Sequence, residues 1–238
     1  MKITTITIVA AAIATSASAD VLDMQYISMG PGADIRLHLG AEIHDTFAGE
    51  LNHEISNASA GYEHLNGMQR TFCPDRTQNV SASAAREFCL ADIEDIPLAN
   101  DASPMGALKA DALRALYASE ASTLLAGSLS NAYAAAFQLV MWEIVDDFDG
   151  SAASIDVDAG NIIVTAQDDS ALDAAILADI SALTANMMNS LASGGADFEG
   201  ALGFTHASFQ DQILLVPAPG ALALLTTGGL MISRRRRS

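Results

Sequence analysis

Asn131-Ala132-Tyr133-Ala134-Ala135-Ala136-Phe137-Gln138-Leu139-Val140-Met141-Trp142-Glu143-Ile144-Val145 is the stretch around which this fold must be built. It reads as a helix that is apolar nearly all round, and such a helix is buried on most of its sides. The neighbouring sequence has to supply the layers that cover it. From Asp20 to about Arg76 the pattern is strand-like: Ile35-Arg36-Leu37-His38-Leu39 alternates, Phe47 to Ile55 does so in part, and Gly30, Gly32, Gly40 and Gly49 punctuate the run. Met105 to Ser119 predicts a helix, with Leu108, Leu113 and Leu116 on its apolar side and Lys109 and Arg114 on the wetter one.

Beyond the central helix, Ser154 to Thr165 alternates again around Gly160-Asn161, which suggests a hairpin. Ala171 to Leu191 returns to helical spacing and stops before Gly194-Gly195, and Phe209 to Val216 is the last strand expected. Strands, helices and strands in that order argue an α+β domain. The expectation is a β-rich, sandwich-like or barrel-like domain with several packed helices.

The ends differ in character from this middle. Met1-Lys2, the uncharged stretch Ile3 to Ala14 and the small-residue run Ala17-Ser18-Ala19 before Asp20 have the three parts of a secretory signal, so residues 1–19 are expected to be removed between Ala19 and Asp20. The alternative, an N-terminal membrane anchor, is disfavoured by the shortness of the apolar stretch. At the other end no charge interrupts Ile213 to Ser233, and Arg234, Arg235, Arg236 and Arg237 follow. Pro217 and Pro219 leave 220–233 as the helical part, about 21 Å long against roughly 30 Å of hydrocarbon, a marginal span. The arginines would stay in the cytoplasm and place the rest of the chain outside. A buried C-terminal helix would seldom end in four like charges. The division expected is therefore signal 1–19, exported domain 20–212 and tail 213–238.

Of the 238 residues, about 195 lie between these ends, enough for one domain with a real core. The whole chain carries a net charge of −18; without Lys2 and the four terminal arginines, six basic residues face 29 acidic ones, a net −23. That balance makes nucleic acid and anionic lipid poor partners, and an acidic solubilising surface is the simplest reading of it. Lys109 is the only lysine between the ends. The five histidines show no metal-ligand spacing, the Asp146-Asp147-Asp149 run lacks the ligand set of a calcium loop, and no phosphate loop or serine nucleophile motif occurs. Neither a metal nor a cofactor is expected.

Two cysteines exist, Cys73 and Cys89. In an oxidising compartment they could close a disulfide loop of about sixteen residues, worth roughly 3 kcal/mol. Competing with that is Gln138, which shares a helix face with Met141, Trp142, the only tryptophan, and Val145. A buried glutamine amide must either be hydrogen-bonded, since an unpaired one costs about 1–3 kcal/mol, or be consumed. Attack by a thiolate on its carbonyl with loss of ammonia would leave an internal thioester.

Two resemblances bear on this choice. Val216-Pro217-Ala218-Pro219, the short glycine- and leucine-rich helix and the arginine cluster resemble the PEP-CTERM sorting signal of Gram-negative bacteria, with Ala218 where glutamate is usual. That resemblance implies an exosortase-type membrane protease as partner, transient anchoring in the inner membrane, and a final place at the cell envelope, cell surface or extracellular matrix. Thr71-Phe72-Cys73-Pro74-Asp75-Arg76 together with Phe137-Gln138-Leu139-Val140-Met141-Trp142-Glu143 resembles the Cys–Gln thioester domains of bacterial surface proteins, a likeness running from about Arg70 onward. Val140-Met141 replaces the more usual Ala-Ile, and Pro74 stands where an aliphatic residue is common.

The thioester resemblance implies that Cys73 and Gln138 form the cross-link, with Asp75, Trp142 and Glu143 around it. The acyl group would pass to an amine or hydroxyl on a surface or matrix polymer. Each molecule would react once, as a chemical anchor and not as an enzyme. The alternative is a passive matrix or polysaccharide-associated protein stapled by Cys73–Cys89.

Overall fold

The computed structural model describes residues 20–76, 78–80, 83–97 and 103–216. The signal segment with Ala19, the motif residues Pro217, Ala218 and Pro219, the tail helix and Arg234 to Arg237 lie outside the described residues.

The domain is α+β. Its strands are β1 (Val21–Leu39), β2 (Glu42–Ser56), β3 (Gly67–Phe72), β4 (Arg86–Ala91), β5 (Ile163–Ala166), β6 (Ala201–His206) and β7 (Phe209–Leu215). Its helices are α1 (Gly106–Ala126), α2 (Asn131–Asp146) and α3 (Ala174–Ala192). All strand pairings are antiparallel, in the order β2-β3-β7-β6-β4-β1-β5. An additional pairing of β1 with β2 joins the ends, so six strands close a ring and β5 lies outside it.

The length of β1 makes this possible. Its first residues, Val21–Met24, pair with β4, while Ile35–His38 pair with β5. Between them the β1–β2 register shifts around Gly32, where a Cβ would collide with the Ala48 carbonyl oxygen. Only glycine allows that close approach. The outer half of the β1–β2 hairpin thereby becomes an arm that packs on α2.

Two apolar clusters follow from this geometry. Leu22, Met24, Ile55, Phe88, Phe204 and Leu214 fill the ring, while Ile35, Leu37 and Val164 of the arm and β5 meet the helices. Every residue of α2 from Ala134 to Ile144 is buried, as its uniform apolar pattern requires. The Ser130 hydroxyl caps its start by accepting from Tyr133 N at 3.1 Å.

Several expectations are corrected. Leu108 is 53% exposed, because α1 turns only Leu113 and Leu116 of the three leucines inward. Lys109 is not a wet-side lysine, since its ammonium donates to the Val145 and Asp146 carbonyls at the end of α2. The hairpin expected over Ser154 to Thr165 is reduced to one backbone bond across the turn, Val164 N to Val157 O at 2.8 Å, with a strand only on its second arm. The Asp147 carboxylate captures the backbone N–H groups of Asn161, at 2.9 Å, and Ile162, at 3.3 Å, leaving only β5 to pair with β1. The last strand expected, Phe209 to Val216, is β7, which runs to Leu215 and buries Ile213 and Leu214. Among the described residues no helix is long and apolar enough to cross a membrane.

Candidate functional site

Cys73 leaves the ring at the end of β3, and aromatic packing fixes where it goes. Phe72 lies against Phe137 of α2 with ring centroids 4.7 Å apart, and Tyr117 of α1 meets Phe137 edge-on at 5.2 Å. Seating Phe72 on Phe137 brings the next residue of each segment together. Cys73 N donates to Gln138 Oε1 at 3.1 Å, and Gln138 Nε2 donates to Cys73 O at 2.7 Å. The thiol Sγ lies 3.8 Å from Gln138 Oε1. Trp142 Nε1 donates to Cys73 O at 3.0 Å, and Met141 Sδ is 3.9 Å from Gln138 Nε2.

The Gln138 amide is therefore satisfied before any reaction, as an ordinary core glutamine would be. What is added is a sulfur beside its carbonyl. Both residues are buried, Gln138 completely and Cys73 to within 4%. Burial, with the Asp75 carboxylate second, pushes the Cys73 thiol far above its ordinary range, so it rests as a neutral thiol.

The expected surroundings divide. Asp75 is buried nearby, its carboxylate accepting from Gln78 N at 3.3 Å and its carbonyl from Gln210 Nε2 at 2.8 Å. Glu143 is turned elsewhere. Five residues on from Gln138 it points about 140° around the helix, and its Oε2 accepts from Asp156 N at 3.2 Å. Its Oε1 has no hydrogen-bond partner among the described residues, and burial pushes its pKa up to about 8. Glu143 thus braces α2 against the segment before β5 and does not face Cys73.

Cys73 and Cys89 are free thiols on opposite sides of the ring. Between β3 and β4 lie β7 and β6 one way round, and β2 and β1 the other. With strands about 4.8 Å apart, that separation exceeds the roughly 7 Å between Cα atoms that a disulfide tolerates.

A cleft of about 580 Å³ opens beside the pair and has Cys73, Trp142, Arg76, Tyr26, Phe47 and Gln210 in its walls. The cleft thus meets the pair on the Cys73 side, and Gln138 is not among its wall residues. Sequence reasoning did not single out Arg76, whose Nε donates to Asp146 Oδ2 at 2.7 Å. Its position three residues after Cys73, in a domain with six basic residues, was the available signal. A buried polar chain inside the ring was also missed: Thr71 Oγ1 donates to Gln212 Oε1 at 2.7 Å and lies 3.0 Å from His53 Nδ1. Among the described residues no group of histidine, cysteine, aspartate or glutamate converges as a metal site.

Fold and site together define an α+β domain on a seven-stranded antiparallel sheet with a buried, hydrogen-bonded Cys–Gln pair at a cleft. Comparison with protein-family models, with curated proteins and with solved structures found no match.

Proposed function

We propose that the protein is an exported surface or matrix protein whose Cys73 and Gln138 form an internal thioester and attach it covalently to an amine or hydroxyl of a partner polymer. The observation that carries this reading is the double hydrogen bond between the Cys73 backbone and the Gln138 amide, which holds the carboxamide against the thiol.

The first step forms the bond between Cys73 Sγ and the Gln138 acyl carbon and breaks the carbon–nitrogen bond, with ammonia leaving and taking up the thiol proton. Cys73 N–H, already aimed at Oε1, is placed to stabilise the negative charge developing on that oxygen. Trp142 still satisfies the Cys73 carbonyl once the ammonia is gone. In the second step a partner's amine or hydroxyl attacks the acyl carbon from the cleft. The carbon–sulfur bond breaks, the nucleophile's proton passes to sulfur, and Gln138 is left joined to the partner while Cys73 is again a thiol. Cys73 is first nucleophile and then leaving group, and nothing regenerates the thioester. Within this reading the signal and tail route the chain outward, with an exosortase-type protease processing the PEP-CTERM-like tail and the membrane holding it until then.

Methylamine labelling tests the proposal. The purified domain should gain one methylamine, mapped to Gln138, as one thiol, mapped to Cys73, becomes available to alkylation under denaturing conditions. Labelling that persists in Gln138→Ala would refute it.

A further inference from the structure

Gln138, Trp142 and Asp146 stand four residues apart along α2, so they form a ladder on one face spanning about 12 Å. The segment after β3 lies along that face and is held at each rung. Gln138 takes both backbone groups of Cys73, Trp142 takes its carbonyl again, and Asp146 takes Arg76. The last rung is bidentate: besides the Nε contact, Arg76 Nη2 meets Asp146 Oδ1. The two side chains are only 19% and 15% exposed, so solvent screens the pair far less than a surface one.

Asp146 is itself fixed, because Lys109 Nζ donates to its carbonyl at 3.0 Å and to that of Val145 at 2.8 Å. On its other side the segment is tied to β7 through Gln210 and the Asp75 carbonyl. Pro74 has no N–H with which to add a tether between Cys73 and Asp75.

We propose that the Arg76–Asp146 pair is a clasp that seats the Cys73 segment on α2 in the register that thioester formation requires. Both residues act through position and touch neither reacting atom. The inference rests on the thioester reading. A carboxamide is a poor acyl donor, and an intramolecular attack on it depends on sulfur being held in line with the carbonyl carbon. A misplacement of about 1 Å can slow such a step by about 100-fold. With the clasp open, Cys73 would keep its backbone contacts to Gln138 only intermittently.

The test uses the double variant Arg76→Met/Asp146→Leu, beside Arg76→Met alone and the unaltered protein. The single variant strands the partly buried Asp146 carboxylate and is expected to lose stability. The double variant removes both charges and restores apolar packing, so its thermal midpoint should match or exceed that of the unaltered protein. Intact mass then reads the fraction of folded protein that has lost ammonia. A positioning role predicts that the stable double variant still loads at least about tenfold more slowly. Loading of the double variant at the unaltered protein's rate, read by intact mass at timed intervals, would overturn the clasp. Failure of the unaltered protein to lose ammonia would overturn the thioester reading beneath it, so the two failures are distinct.

Discussion

Trp142 Nε1 and Gln138 Nε2 converge on one acceptor, the carbonyl oxygen of Cys73, at 3.0 and 2.7 Å. Only the first of these donors would survive the loss of ammonia that the proposed thioester requires. Trp142→Phe should therefore cost the reacted protein about 1–3 kcal/mol by leaving a buried carbonyl without a donor. In the reacted protein it should also let water in, so that the methylamine-reactive fraction decays faster on storage than in the unaltered protein. Thermal unfolding and timed labelling check the two parts separately.

Glu143 predicts a pH dependence of stability. Its carboxyl titrates near the ordinary 4.5 in the unfolded chain and is pushed up to about 8 in the folded one, chiefly by burial, which the hydrogen bond from Asp156 N opposes and the charges of Asp147 and Asp156 reinforce. Between those values the folded state holds a proton that the unfolded state has lost, so stability falls as pH rises from about 5 to about 8. The loss is on the order of 3–5 kcal/mol at full effect. Glu143→Gln cannot ionise. Its urea midpoint should fall below that of the unaltered protein at pH 5, where the extra amide lacks a partner, and exceed it at pH 9. Parallel curves would show that Glu143 is not the group responsible.

Cys89 should be dispensable. It lies on β4, across the ring from Cys73, and faces no disulfide partner. Cys89→Ser should leave the unfolding midpoint within about 0.5 kcal/mol of the original and leave any ammonia loss intact. A drop of the size expected for a lost disulfide, roughly 3 kcal/mol, would restore the stapled reading.

Lys109 holds the C-terminal carbonyls of α2. Lys109→Met keeps the apolar stem but removes the charge, so about 1–2 kcal/mol should be lost through the unpaired carbonyls and the helix dipole. The same contacts keep the only amine side chain between the ends of the chain away from the Gln138 acyl group. No Lys109 cross-link should appear in peptide maps of the unaltered protein.

Periodicity made the large elements legible. α2 was readable because a long helical stretch apolar on nearly every side must be buried, and the alternation in Ile35 to Leu39 marked the outer half of β1. β4 and β6 were not visible. Each has six residues, and β4 opens on the polar pair Arg86-Glu87, so neither shows a clean period of two. The hairpin at Ser154 to Thr165 stops at the single Val164–Val157 bond for a different reason: a carboxylate from the end of α2, Asp147, takes the backbone of Asn161.

The site was partly legible in the same sense. Gln138 and Trp142 share a helix face by spacing, and that spacing places both at Cys73 O. Glu143 was grouped with them by the resemblance alone, and as the chain neighbour of Trp142 it lies about 100° away around the helix. Arg76 and Asp146 escaped because an ion pair between residues seventy positions apart leaves no local pattern.

The most direct measurement is the intact mass of the non-reduced domain, compared with the mass its own termini and sequence require. The thioester account predicts a deficit of one ammonia, abolished in both Cys73→Ser and Gln138→Ala and unaffected by Cys89→Ser. A full-length mass with two alkylatable thiols, or a deficit of two hydrogens only, would contradict it.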